Sequence, residues 1–428
     1  MATTMAAGSS ADPKNKHTQT PFMALLRERA ALAAAWLHAA SAGPSAAAAA
    51  GDASAAAPRH GASGFYSKPL RPPTGWSGAD AGSTAMLVTA LLRYSAFAND
   101  TASGAEALRQ ADWLLHAQDD EGGLPMGELT PLSPLPIPIQ LPGMPAPQPP
   151  NPRIGARGVW STSLAIQALL AANDRTHAAK YLEGAAKAGR WLVRHLNTAA
   201  RQWTRGTEHM NASPAYYTEV CAALLALFQR TQIAGLREAA TQVLDTLADQ
   251  RMPEGGFRNW GADPRDTAAS HHVALTISGF DACGRALGGN AGERYSRIAA
   301  ECAASLAADQ ACFGRLSGGY DEFIEPATDF FCPSGAARMS RVWLGYWQRN
   351  RDMYLLNAAA QAAADTVAAQ EMSAIDADCN GALPGSQPIT GPHARMRYPT
   401  DATAEFVLMA IEMHEVLTRL LEAGPCDW

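Results

Sequence analysis

Two kinds of helical stretch alternate along this chain six times over, and the alternation leaves few folds open. The first kind carries charge along one face and falls at 22–40, 105–118, 178–196, 236–250, 293–310 and 353–370. The second is apolar almost all round and rich in small residues, at 81–97, 161–172, 215–229, 266–284, 335–349 and 401–417. A helix with one solvated face belongs on the outside, and a helix without one must be buried on most sides. Six outer and six inner helices follow. One pair cannot bury its own apolar surface, so neighbours must stack, and closing the stack into a ring removes two ends that would otherwise need caps. The expected fold is all-α, an (α/α)6 barrel of six helical hairpins. Composition agrees: the chain is 47% hydrophobic but only 7% aromatic, with Ala dominant, which suits close-packed helices rather than Val/Ile/Tyr-rich sheets.

Several outer helices end in a shared phrase, Gln118-Asp119-Asp120-Glu121-Gly122-Gly123 and Gln250-Arg251-Met252-Pro253-Glu254-Gly255-Gly256, with an echo at Gln310 and Gly314. Glycine after a last helical turn is a stop signal, because it enters the left-handed region cheaply. Gly122-Gly123 and Gly255-Gly256 are therefore expected as turn glycines with positive φ. The phrase also resembles the Gln-containing repeat of squalene cyclases and protein prenyltransferases, so plain capping and a shared repeat both stand. A Pro-rich insert at 131–152 must run as extended polyproline II, either as a rim over the barrel mouth or as a solvated surface loop. The Ala/Ser/Gly-rich stretch 41–63 reads as a flexible linker, residues 1–20 as a disordered tail, and 21–428 as one toroid domain.

A net charge of −6, from 34 basic and 40 acidic residues, offers no basic stripe for phosphates, which argues against nucleic acid as a partner. Seven scattered cysteines with no CxxC spacing give no disulfide framework or thiolate zinc site and favour a reducing compartment. No stretch supplies the roughly 18 apolar residues of a membrane span, and no leader pattern opens the chain, so the expected location is cytoplasmic.

From Gly64 onward the chain resembles the six-hairpin toroid proteins found with bacterial surface-polysaccharide genes, relatives in fold of glucuronyl C5-epimerases and polysaccharide lyases. The landmarks are Gly64-Phe65, Gly75-Trp76-Ser77, Asp112-Trp113-Leu114-Leu115, Arg190-Trp191-Leu192 and Asp321-Glu322. Asp329-Phe330-Phe331-Cys332-Pro333-Ser334-Gly335 and Gly381-Ala382-Leu383-Pro384-Gly385 complete them. The resemblance implies a role directed at carbohydrate and a cleft at one barrel mouth. The chain departs from the pattern where His393, Arg395 and Arg397 replace aromatic residues near the last inner helix, and in its Pro-rich insert.

In such a barrel the loops before the inner helices crowd one mouth, so polar residues at inner-helix starts converge. His271 and His272 are adjacent in an otherwise apolar helix, where successive side chains point about 100° apart, so one can face the lumen. Each is either a hydrogen-bonded core histidine or a general acid or base, since imidazole titrates nearest neutrality. Tyr217 is either packing or a proton donor. Abstraction of a proton at C5 of a uronate needs a base, a donor and a cation that neutralises the carboxylate. His271 or His272, Tyr217 and Arg338 would supply that set, with Asp329 as a further catalytic candidate. Hydrolysis instead needs two carboxylates about 5–9 Å apart, for which Asp266, Asp329 and Asp401 are available. Asp266 and Asp401 are equally read as plain N-caps. Trp76, Trp160, Tyr216, Trp260, Asp266, Arg397, Tyr398 and Asp401 are the expected substrate-binding residues.

The phrase Asp263-Pro264-Arg265-Asp266 resembles the Asp-rich motif of class II terpene cyclases, but Arg265 stands where the protonating acid should be. A guanidinium cannot protonate an alkene. A prenyltransferase-like zinc trio would need Asp329, Cys332 and His393 to meet, so no metal and no cofactor is expected. The reading is an enzyme acting on a bacterial surface or exopolysaccharide glycan by lyase, epimerase or hydrolase chemistry. Its rivals are a toroid that binds a glycan or partner without catalysis, and a terpenoid cyclase-like protein.

Overall fold

The computed structural model describes residues 20–42, 61–68, 75–126, 157–207, 213–261, 267–373 and 376–423. Outside them lie most of the N-terminal tail, the bulk of the 41–63 linker, the whole Pro-rich insert, and Asp266 with the rest of the Asp-rich phrase.

Among the described residues twelve helices account for the architecture. The inner ones are α2 (Ala81–Ala98), α4 (Val159–Thr176), α6 (Thr218–Thr231), α8 (Ser270–Leu287), α10 (Pro333–Asn350) and α12 (Thr400–Ala423). The outer ones are α1 (Pro21–Ala42), α3 (Thr101–Ala117), α5 (Ala179–Arg194), α7 (Leu236–Ala248), α9 (Gly289–Phe313) and α11 (Met353–Ala369). Each inner helix packs on the next, and α12 packs on α2, so the ring is closed. The fold is the (α/α)6 barrel.

Pairing follows connection length. Each of the first five inner helices turns back through a short link, at 99–100, 177–178, 232–235, 288 or 351–352, onto the outer helix that follows it. Asn99, His177, Gln232 and Arg351 adopt left-handed conformations there to end the inner helices. The sixth hairpin is different, because α1 at the start of the chain packs on α12 at its end. That staple joins the two termini of the helical array.

The outer-helix glutamines show what the Gln-Gly phrase does. Gln118 Nε2 donates to the Gly122 carbonyl and to Gly184 of α5, both at 3.0 Å. Gln310 reaches Ala358 of α11 at 2.9 Å, and Gln370 reaches Arg29 of α1 at 3.1 Å. Each amide therefore ties one outer helix to the next around the ring. Gly122 and Gly255 have positive φ, whereas Gly123 and Gly256 do not. The second glycine serves close approach instead: a Cβ on Gly256 would sit 2.1 Å from the Glu322 carbonyl oxygen.

The longer loops, from outer helix to inner, gather where the inner helices begin. Short strands brace them: β1 (Phe65–Ser67) lies between β2 (Gly75–Trp76) and β7 (Arg397–Pro399). β3 (Leu124–Pro125) pairs with β4 (Arg157–Gly158), and β5 (Ala268–Ala269) with β6 (Gly319–Tyr320). The β5–β6 pairing delays the fourth inner helix, which starts at Ser270 rather than at 266, with Ala269 as its cap. Its histidines consequently sit in the first turn.

Candidate active site

The six inner helices point their N-termini at the same mouth, and a cavity of about 250 Å³ opens there. Asp80, Ser334 and Asp401, from the starts of three inner helices, line it together with Phe65, His393 and Arg397. Asp80 caps α2, its Oδ1 accepting from the Ser83 amide at 2.6 Å.

His271 closes the group from α8. Its Nε2 lies 4.0 Å from Asp401 Oδ2, and its ring centroid lies 5.9 Å from that of His393 and 5.5 Å from that of His272. The His271 Nδ1 is buried with no hydrogen-bond partner among the described residues. Burial, with the neighbouring His393 and the Arg338 charge, pulls the His271 imidazole down to about 3. Burial alone lowers His393 to about 4. Both rings are neutral in neutral solution. Asp401 moves the other way, raised to about 6 by burial, to which the charges of Asp80 and Glu405 add. The site thus joins two neutral imidazoles to a carboxyl that titrates near neutrality, a combination suited to moving protons.

His272 stands beside them, its ring centroid 6.1 Å from that of His393. Its ring stacks on Tyr216 with centroids 4.9 Å apart, and Tyr216 meets Trp160 edge-on at 5.2 Å. Tyr217 lies deeper, fully buried between Trp160, Trp203 and Tyr216. These rings form an apolar wall running from the α6 start toward the histidines. Trp260 is buried against Phe257, and Trp76 is half-buried against Trp36 and Tyr66, so neither lines the cavity.

Strand alternation sorts the residues around β7. Tyr66 pairs with Tyr398 and Ser67 with Arg397, so Phe65, Arg397 and Pro399 share the cavity face while the two tyrosines share the opposite face. Tyr398 accordingly is buried and donates to Glu371 Oε2 at 3.0 Å. The Arg397 guanidinium lies over the Phe65 ring, 4.3 Å from its centroid. Asp329 is exposed on the loop before α10, and no hydrogen bond or ion pair joins it to the histidines among the described residues. Cys332 is buried beside Ser334, and no set of three His, Cys, Asp or Glu side chains among the described residues is arranged to hold a metal.

Arg338 sits just below. It lies 3.0 Å from Glu219 Oε1 and 3.2 Å from Ser278 Oγ through Nη1, and donates to Glu405 through Nη2. Glu405, fully buried, also accepts from Arg341 Nη1 at 2.8 Å, and Arg341 Nη2 reaches Glu412 at 2.9 Å. Arg338 is thus occupied within the barrel wall, while Arg397 is the arginine in the cavity. Asp80 was not among the sequence candidates, although it meets the same criterion of an acid at an inner-helix start. His393 had been notable as a departure from the family pattern and as one member of a zinc trio, not as a site histidine, because nothing in a loop sequence says which way the loop folds.

No family model matches the chain, and no curated protein is similar to it in sequence. Solved structures are similar in fold. An unsaturated glucuronyl hydrolase specific for heparin superposes with a TM-score of 0.62 at 10% identity, over 92% of this chain and 98% of that one. Cellobiose 2-epimerase from Bacillus thermoamylovorans B4167 gives a TM-score of 0.65 at 11% identity, over 92% and 99%. The unsaturated glucuronyl hydrolase of Bacillus sp. GL1, responsible for the degradation of glycosaminoglycan, gives 0.61 at 12% identity, over 92% and 98%. At these identities the likeness is one of fold, and the chain shares the (α/α)6 toroid of these enzymes.

Proposed function

We propose that this chain is a carbohydrate-active enzyme that moves a proton at one sugar unit held in the mouth cavity, within a bacterial surface or exopolysaccharide glycan. The observation that carries the reading is the pair His393 and Asp401 lining one small cavity with His271 directly behind them, two neutral imidazoles beside a carboxyl raised to about 6. A neutral imidazole has a free lone pair for the proton on carbon, and the negative charge that develops on the sugar as the proton moves would raise its lowered proton affinity. Asp401, protonated in part near neutrality and 4.0 Å from His271 on the same side of the cavity, gives a proton to the departing oxygen for elimination, whereas for epimerisation the other face takes its proton from solvent at the open mouth. Arg397 supports an acidic sugar, since among the described residues no ion pair satisfies it and a substrate carboxylate would. The cavity volume, just under the range usual for drug-sized ligands, fits one sugar unit rather than a long chain segment.

A second reading, hydrolysis, draws on a specific feature: Asp80 and Asp401 line the same cavity from different helices, and Asp80 helps raise Asp401. One experiment separates the two. The protein is incubated in D2O with uronate-containing and neutral glycans, and products are followed by NMR, ultraviolet absorbance and reducing ends. The expected result is either deuterium entering at a single sugar carbon, for epimerisation, or an unsaturated, ultraviolet-absorbing product that has lost that hydrogen, for elimination. New reducing ends with neither deuterium on carbon nor an unsaturated product would replace the proposal with hydrolysis.

A further inference from the structure

Beneath the cavity, three inner helices repeat one arrangement. On α12, Glu405 follows Asp401 by four residues; on α10, Arg338 follows Ser334 by four; on α8, Ser278 follows His271 by seven. Those spacings place each pair on one helix face, a turn or two apart. The lower members touch each other. Arg338 bonds to Glu405, Ser278 and Glu219, and the Ser278 hydroxyl donates to Glu219 and so joins α6 to the same layer.

The layer is buried and its charges are matched. Glu405 is fully buried, and the Arg338 side chain is 11% exposed. Burial opposes ionisation of Glu405, yet the Arg338 and Arg341 charges outweigh it and hold the carboxyl below its ordinary range. The Arg338 Nε is buried without a partner, so the guanidinium is held by its two terminal nitrogens alone. A buried network is a poor source of stability relative to apolar packing, but it fixes geometry and local potential.

We infer that Arg338 and Glu405 are positioning residues, a second layer that fixes where His271 and Asp401 stand and how each holds its proton. The inference rests on the proton-transfer reading of the cavity. The two residues act with opposite sign on the groups above. Glu405 favours protonation of both His271 and Asp401, whereas Arg338 disfavours it at His271. His272 and His393 also face His271, and Asp80 also faces Asp401, so all three are left unchanged in the comparison.

The test is NMR titration of the full-length protein, with labelled imidazole and carboxyl carbons, on wild type, Glu405→Gln, Arg338→Gln and Gly122→Ala. The last variant lowers stability at a remote turn and controls for loosening. Glu405→Gln is expected to move the Asp401 titration to lower pH, and Arg338→Gln to move the His271 titration to higher pH, each by about one pH unit or tenfold in proton affinity. Gly122→Ala is expected to move neither. Unmoved titrations, shifts of the wrong sign, or the same shifts in Gly122→Ala would overturn the inference. None of these readings needs a substrate, so failure to find turnover with any sugar removes the enzymatic reading and leaves the electrostatic result to stand or fall separately.

Discussion

Two sets of charged and polar side chains share the lumen and obey different rules. In the lower layer Glu219, Arg338, Glu405, Arg341 and Glu412 pair in sequence, every carboxylate meeting a guanidinium. At the mouth, a few ångströms above, His271 stands 4.0 Å from Asp401, the histidines lie side by side, and Arg397 rests on an aromatic face. Evolved cores satisfy buried polar groups, so a satisfied layer reads as architecture. Groups left unsatisfied and shifted in proton affinity read as a place for something else to bind.

The largest stability effect should fall on the lower layer. Arg338→Met leaves Glu219 and Glu405 buried with one cation removed, and should destabilise by about 3 kcal/mol, the low end for a broken buried pair because Glu405 keeps Arg341. Denaturant unfolding measures it. A loss below about 1 kcal/mol would mean that the layer is wet and its pairing weak.

A smaller loss is expected away from both sets. Gly122 has φ +110°, and a Cβ there would lie 2.2 Å from the Lys187 carbonyl oxygen, so Gly122→Ala should destabilise by about 1–3 kcal/mol. An unchanged melting temperature would show that the turn relaxes freely.

A third effect is a pH dependence, and it has two opposing parts. His271 and His393 have folded values near 3 and 4, below the ordinary value of 6.5. The unfolded chain therefore binds more protons in that window, and stability falls as pH drops from about 6.5 toward 4. Asp401, raised to about 6, binds its proton more tightly when folded, and its contribution is lost as pH rises from about 4 through 6. Two histidines outweigh one carboxyl, so net stability should rise with pH across this window. His271→Gln should flatten the rise and Asp401→Asn should steepen it, both read from melting temperature against pH. Identical slopes in all three proteins would remove the buried-histidine account.

The ring was legible because it rests on periodicity, which is local: a helix with no solvated face announces its burial wherever it packs. The site was legible only in part, because facing is decided by short-range geometry. His271, Arg397 and Asp401 come together as neighbours at the mouth. Tyr398 and Arg397 are adjacent and face opposite ways because β7 alternates, and Tyr216 and Tyr217 part because a 3-10 turn at Ala215–Tyr217 precedes α6. Residues 268–269 pair as strand although they continue a helical pattern, since Gly319 and Tyr320 offer an edge that sequence periodicity does not register. His393 reaches His271 from a loop more than a hundred residues away, and only the closed ring brings it there.

The contrast between mouth and lower layer is tested most directly by deuterium exchange into a uronate-containing glycan, measured side by side with melting temperature for His271→Gln and Arg338→Met. The account predicts that His271→Gln cuts exchange by roughly 10²–10⁴-fold while melting within a degree or so of wild type. Arg338→Met should melt several degrees lower. Equal losses of stability in the two variants, or exchange that survives His271→Gln, would contradict it.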